Sequence, residues 1–306
     1  MGDTDAGYFP RGTSLLRRVH EERAVGLLYG QRALGLGALA PLNFIGTRTH
    51  SKAVDQPFRR LVRTAKGFET IFFGTKAEAD RVLKLVDQMH QEVVGEIPED
   101  AGPYPAGSRY SAFDPEMMLW TVGVMADSAV VFYEMFVAEL TPDEKDAFWA
   151  DYVRFAGLFG MPEDAAPGSW REFKAWLDGF IASDKAFLTD EARHTAGAIM
   201  FQIPVPRSRR PGILVHNLVM LASLPPRVRE LYGLEYTSRQ DRMFKAMVRF
   251  SRLTRPLATD EMRRGYNTKD FEMVAATERK IIAEGGTAPG ALEPVQVATG
   301  SAVRTS

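Results

Sequence analysis

Helix-start signals recur along this chain and alternating strand patterns are all but missing, which confines it to an all-α fold. Thr75-x-x-Glu78 and Ser169-x-x-Glu172 are capping boxes. In each, a side-chain oxygen accepts from a first-turn N–H that has no partner inside the helix. Asp114-Pro115 and Thr141-Pro142 put a capping oxygen directly before a first-turn proline. Thr189-Asp190-Glu191 and Thr259-Asp260-Glu261 add acids where the helix dipole favours negative charge. Apolar residues between these starts repeat at three and four. The pattern predicts helices over 14–23, 25–40, 55–73, 76–95, 115–138, 142–159, 170–186, 190–201, 213–232 (interrupted at Pro225-Pro226), 239–253 and 269–284.

Two segments break that pattern. Residues 96–113 carry three prolines and enough glycine to stop a helix, and irregular loops of that length are often functional. Residues 285–306 are small, polar and rich in Gly, Ala and Thr, so a disordered tail is expected there. With no internal repeat and no clear linker, residues 1–284 read as a single large helical domain.

Composition narrows the chemistry. The chain has no cysteine, which removes disulfides, thiolate zinc sites, iron–sulfur clusters and thiolate-ligated haem. A net charge of -1 gives no long-range pull toward nucleic acid, and none is expected as a partner. The acidic N-terminus lacks a signal-type apolar core, and Arg17-Arg18 is followed by charges rather than an apolar run, so a cytoplasmic location is expected. No stretch spans a bilayer cleanly: Gln31 and Arg32 interrupt 24–46, and 213–224 is too short. Peripheral membrane contact stays open, as does the oligomeric state.

Two helices hold candidate site residues. In the predicted helix 25–40, Gly26, Gly30, Ala33, Gly37 and Ala40 share one face, which suits close helix packing. The Gly35-x-Gly37-x-x-Ala40 pattern within it resembles a dinucleotide loop, but no strand precedes it. In the pair 55–73 and 76–95, Arg60, Arg63 and Thr64 share one face of the first helix. Leu83, Val86, His90 and Val93 form an apolar stripe on the second, so His90 should point inward. Gly74-Thr75 joins the two helices and makes them antiparallel. Thr64 then lies roughly 15 Å before the turn and His90 roughly 20 Å past it. A basic, hydroxyl-bearing face thus lies near an inward histidine. On its own this reads as a core histidine or as one proximal haem ligand.

Several short motifs occur in order over about residues 8–265. They are Pro57-Phe-Arg-Arg60-Leu-Val-Arg63-Thr64, Phe73-Gly74-Thr75-x-x-Glu78-Ala79, Met89-His90-x-x-Val93-x-Gly95, Tyr110-Ser111-Ala112-x-Asp114-Pro115 with Trp120, and Leu224-Pro225-Pro226-x-x-Arg229-x-x-Tyr232-Gly233. Together they resemble the MpaB/rubber oxygenase catalytic domain. The resemblance implies a globin-like helical core with additional helices and haem b, with His90 as the iron ligand. It implies that Arg60 and Arg63 stabilise bound oxygen or haem propionates, that Thr64 tunes the distal pocket, and that dioxygen and an apolar isoprenoid or lipid-like molecule are the substrates. The chain departs from the family at Ala40-Pro41, where many relatives have His-Pro, and at Val122, where many have histidine. The glutamate base of the latex-clearing branch has no counterpart, Asp55 being the only acid between Glu22 and Glu69.

Other motifs point elsewhere. Glu191-x-x-His194 has di-iron spacing but no second copy, and a first-turn surface helix explains it. No HExxH, GxSxG or P-loop occurs. The two expectations are therefore a haem-dependent oxygenase, or a haem-free helical protein that binds a lipid-like ligand or partner.

Overall fold

The computed structural model describes residues 7–51 and 53–293. They form fourteen α-helices: α1 Leu15–His20, α2 Arg23–Gly37, α3 Pro41–Thr49, α4 Pro57–Phe73, α5 Lys76–Glu92, α6 Pro115–Phe136, α7 Pro142–Gly157, α8 Trp170–Ala182, α9 Asp190–Phe201, α10 Arg210–Ser223, α11 Pro226–Tyr232, α12 Ser238–Thr254, α13 Asp260–Arg263 and α14 Thr268–Ala283. The fold is all-α, as the start signals require. Thr75/Glu78 and Thr141/Glu144 close as full capping boxes. Ser169 caps Glu172 N, but the Glu172 carboxylate accepts from Gly168 N instead of completing the box.

The core is built around α6, which is apolar on every side and buried along most of its length. Among the described residues it is the helix long and apolar enough to cross a membrane, yet 72% of its most apolar window is buried inside the protein. A helix apolar all round belongs either in a core or in a bilayer, and this one is in the core. It packs most extensively on α2 and also meets α7, α8 and α12. Trp120 of α6 stacks on Phe180 with ring centroids 4.1 Å apart and donates Nε1–H to the Gly37 carbonyl at 3.2 Å. Tyr232 donates to the Gly35 carbonyl at 2.7 Å. The glycines of the dinucleotide-like pattern are thus the packed end of α2, and a Cβ on Gly35 would come within 2.2 Å of Met200 Sδ.

The structure departs from the sequence reading in three places. The helix expected over 25–40 ends at Gly37, and Pro41 starts a separate helix, α3, that the periodicity did not mark. The helix expected over 76–95 stops at Glu92, and a short antiparallel pair, Val94–Glu96 (β1) and Arg109–Ser111 (β2), with Gly95 opposite Tyr110, brackets the segment read as irregular. Of the segment read as a tail, residues 294–306 lie outside the described residues. Residues 285–293 lie against the protein: Ala288 is buried, Thr195 Oγ1 donates to the Gly290 carbonyl at 3.0 Å, and Leu292 N donates to Val54 O at 3.1 Å.

The β1–β2 pair is held by Tyr110. A Cβ on Gly46 would lie 2.9 Å from its ring and one on Gly95 2.6 Å from its hydroxyl. Its hydroxyl also meets His50 Nε2 at 3.2 Å. Only glycine leaves room for that ring. Gly46→Ala should therefore cost about 1–3 kcal/mol by overpacking. Urea unfolding checks this, and a loss below about 0.5 kcal/mol would mean the ring moves freely.

Candidate functional site in the α4–α5 hairpin

Helices α4 and α5 touch near their turn. A Cβ on Gly67 would stand 3.6 Å from Val82 Cγ1, an ordinary packing distance. That contact fixes the register of the antiparallel pair. One turn further from the hairpin, Thr64 comes level with Val86. Two turns further, Arg60 comes level with His90. Arg60, rather than Thr64, is thus the residue at the height of His90.

Beyond the Gly67–Val82 contact the facing side chains are not covered. Leu85 is 62% exposed and Met89 56%, although both lie on the side of α5 that Val82 presents to α4. Arg63 and Thr64 are exposed on the other helix. Of the whole of α5, only Ala79 is fully buried. A helix with five large apolar residues between positions 82 and 89 normally buries them. Here Leu85 and Met89 on α5, and Arg63 and Thr64 on α4, are left uncovered on the two arms of the hairpin.

His90 lies in the last turn of α5. Its position is set by β1–β2: Ala112 N donates to Val93 O at 2.9 Å, which returns the chain so that Phe113 stands 6.0 Å from the imidazole, edge to face. Phe159, at the end of α7, lies 6.4 Å away. The ring is half-buried rather than fully inward, and its nitrogens make no side-chain hydrogen bond among the described residues. Burial lowers its pKa, with Asp87 pulling weakly the other way, so it is neutral at pH 7. A neutral imidazole with an unused nitrogen is the form that binds a metal.

Arg60 is half-buried and donates to Ser51 Oγ at 3.3 Å. Burial lowers its pKa, and the nearby Arg63 charge adds to the effect. Arg63 sits on the border of two faces. It also lines a groove of about 510 Å³ between α4 and α14, with Arg59, Lys66, Glu272 and Arg279. Glu278 of α14, fully buried, accepts from Phe58 N at 3.0 Å and Arg59 N at 2.7 Å. It thereby caps α4, the helix that carries Arg60, Arg63 and Thr64.

The structure also brings together groups the sequence reading passed over. His20 is buried, with Nε2 2.6 Å from the Tyr152 hydroxyl and its ring 4.7 Å from Phe72. Burial lowers its pKa to about 3. Aromatic contacts link it through Phe72, Phe155 and Phe159 to His90. The local signal was the Leu16, Val19, His20 spacing, which puts the imidazole on the apolar side of α1. Glu191, by contrast, pairs with Arg48 at 2.8 Å on the surface. Among the described residues no three His, Asp or Glu side chains gather as a metal cluster, so an iron site would rest on one protein ligand.

The family described as ER-bound oxygenase mpaB/B'/Rubber oxygenase, catalytic domain, matches residues 17–253. The chain belongs to this family. An oxygenase domain implies dioxygen and an oxidisable substrate, and this family suggests a metal or haem cofactor. Two relatives are the uncharacterized proteins Rv2237 of Mycobacterium tuberculosis and Mb2261 of Mycobacterium bovis. Each is 25% identical over 201 residues, covering 64% of this chain and 74% of theirs. No solved structure matches the chain. The matched span ends before α14, so the Glu278 cap on α4 comes from sequence beyond the matched oxygenase span.

Proposed function

We propose that this oxygenase domain holds haem b through His90 and oxidises an apolar, isoprenoid or lipid-like substrate. One observation carries the reading: a half-buried, neutral imidazole at His90 with no side-chain hydrogen bond among the described residues, on the hairpin that also carries Arg60, Arg63 and Thr64. The residues present fit a flat, apolar, dianionic group. Leu85, Val86 and Met89 offer an apolar wall, His90 a nitrogen for iron, and Arg60 and Arg63 cations for carboxylates or bound oxygen.

When bound, the haem supplies the oxygen chemistry. The chain's own residues position it and shape what reaches it. Thr64 adds a hydroxyl one turn from Arg60. Phe113 and Phe159 hold the His90 ring edge-on and at a tilt, limiting its rotation. Asp55, the only acid upstream of Arg60 in this part of the chain, is exposed beside Gln56, so a carboxylate base for polyisoprene cleavage is not part of the proposal.

The test is an absorption spectrum of purified protein with and without added haem. A Soret band is expected after supplementation, and His90→Ala should abolish it while circular dichroism stays helical. Arg60→Ala should keep the band but loosen haem by about tenfold, the worth of one charge-assisted hydrogen bond. A folded, colourless wild-type protein after supplementation would favour the haem-free ligand-binding reading.

A further inference from the structure

The near-neutral charge of the whole chain hides a concentrated basic face. Over residues 207–223 and 238–257, which hold α10, α12, the turn before α10 and the turn after α12, Asp241 is the only acid, and Glu235 lies in the turn that leads into α12. Asp241 is already paired with Lys245 at 2.8 Å. Of the basic residues there, Arg252 and Arg255 are spent internally. Arg252 donates to the Met135 carbonyl at 3.0 Å and Arg255 holds the Glu22 carboxylate at 2.8 and 2.9 Å. Arg207, Arg209 and Arg210 before and at the start of α10, and Arg239, Arg242 and Arg249 on α12, are exposed.

The same two helices, which pack on each other, and the turn after α12 carry several strongly exposed large apolar side chains. Leu257 is 84% exposed, Leu253 78%, Leu214 75% and Phe250 67%. No residue of α12 is fully buried. At 100° per residue, Arg239, Arg242, Met243, Arg249, Phe250 and Leu253 fall within about 120° of the helix circumference. Arginines flanking leucine and phenylalanine on one outward face is the pattern of a helix that lies in a bilayer interface.

We propose that the α10–α12 face docks on an anionic phospholipid surface. The arginines would meet lipid phosphates while Leu214, Phe250, Leu253 and Leu257 enter the acyl boundary. Charge selects this occupant. A second copy joined through the same face would set arginine against arginine, which costs rather than stabilises. The segment 294–306 contains no acid to complement the face. Nucleic acid would leave the leucines in water. Docking of this kind needs no transmembrane helix and would bring an apolar substrate to the protein from the lipid phase. It does not depend on haem, so it stands or falls separately from the function proposed above.

Vesicle co-sedimentation tests it with the full chain, with and without added haem. Binding is expected to vesicles of phosphatidylcholine with phosphatidylglycerol, several-fold above phosphatidylcholine alone, and to be lost in 0.5 M salt. Arg242→Glu with Arg249→Glu should weaken binding by at least about tenfold. Phe250→Ser with Leu253→Ser should weaken it even at low salt. All four positions are exposed, so unchanged melting shows that the variants fold. No sedimentation with the anionic vesicles would overturn the proposal, as would equal binding by the arginine variants. Concentration-dependent dimerisation abolished by the Phe250/Leu253 variant would assign the face to a second copy instead.

Discussion

Asp127→Ala is expected to cost about 3–5 kcal/mol of folding stability, the range found when one partner of a buried ion pair is removed. Asp127 and Arg32 are 3% and 2% exposed, on the two helices at the centre of the core. Arg32 donates Nη1–H to Asp127 Oδ2 and to Ser128 Oγ, each at 2.8 Å, and Nε–H to the Ser223 carbonyl at 3.0 Å. Lys174 reaches the other carboxylate oxygen at 2.6 Å. Burial alone would raise the Asp127 pKa, but the charges and hydrogen bonds of Arg32 and Lys174 outweigh it and hold the carboxyl below its ordinary value. Its stabilisation is therefore present above the unfolded carboxyl pKa, near 3.9, and lost as pH falls toward the lowered folded value. Without the carboxylate, the guanidinium cannot shed its proton and keeps only neutral acceptors. The double change Arg32→Met with Asp127→Leu should cost less than Asp127→Ala alone. It removes both buried charges, while Lys174, 32% exposed, can turn to water. Urea titrations at pH 7 measure both. A loss below 1 kcal/mol for the single change would refute the buried-charge account.

That pair was half-visible in the sequence. Arg32 is the only charge between Ala24 and Thr47, and Asp127 the only one between Leu119 and Phe132. A single charge in each of two long apolar runs is the mark of a buried ion pair, though pairing the runs needs the fold. The helix starts were fully legible, because a cap is a contract among four neighbouring residues: Thr75 and Glu78 close their box whatever surrounds them. The start of α3 was not, because Ala40 offers no capping oxygen and only Pro41 marks the break. Nor was β1–β2, whose three-residue strands are shorter than any alternation pattern and depend on Tyr110 seating over Gly46 and Gly95.

For the candidate site, periodicity placed His90, Arg60, Arg63 and Thr64 on one helical hairpin. The Gly67–Val82 contact puts Arg60, rather than Thr64, at the height of His90, as the helical rise counted back from the Gly74-Thr75 turn also does. Periodicity could not separate Arg63, at the edge of the α14 groove, from Arg60 and Thr64. The predicted stripe of Leu83, Val86, His90 and Val93 is half-buried rather than fully inward, and Leu85 and Met89, which lie off it, are exposed. A stripe records which side a helix would bury, while exposure depends on what the rest of the chain brings to that side.

The protein should lose about 2 kcal/mol of stability between pH 6.5 and pH 5 through His20 alone. Its imidazole is 4% exposed, wedged among Tyr29, Phe72 and Tyr152, and its folded pKa is about 3. In the unfolded chain a histidine titrates near 6.5. Above that value both states are neutral and the group adds no pH dependence. Below it the unfolded state takes a proton that the folded state refuses until about pH 3, so stability falls by about 1.4 kcal/mol per pH unit across that window. Tyr152, whose pKa burial raises well above the ordinary phenol value, stays protonated and cannot supply a compensating negative charge. His90 and His216 also have lowered pKa values and add to the wild-type slope. Comparison with His20→Gln isolates the His20 share, because glutamine keeps a hydrogen-bonding group near Tyr152 but takes up no proton. Urea unfolding at pH 7, 6 and 5 should show the variant less stable at pH 7 but with the shallower slope. Parallel slopes would mean that His20 takes up a proton in the folded protein as readily as in the unfolded chain, which a cavity of apolar rings around one phenol does not permit.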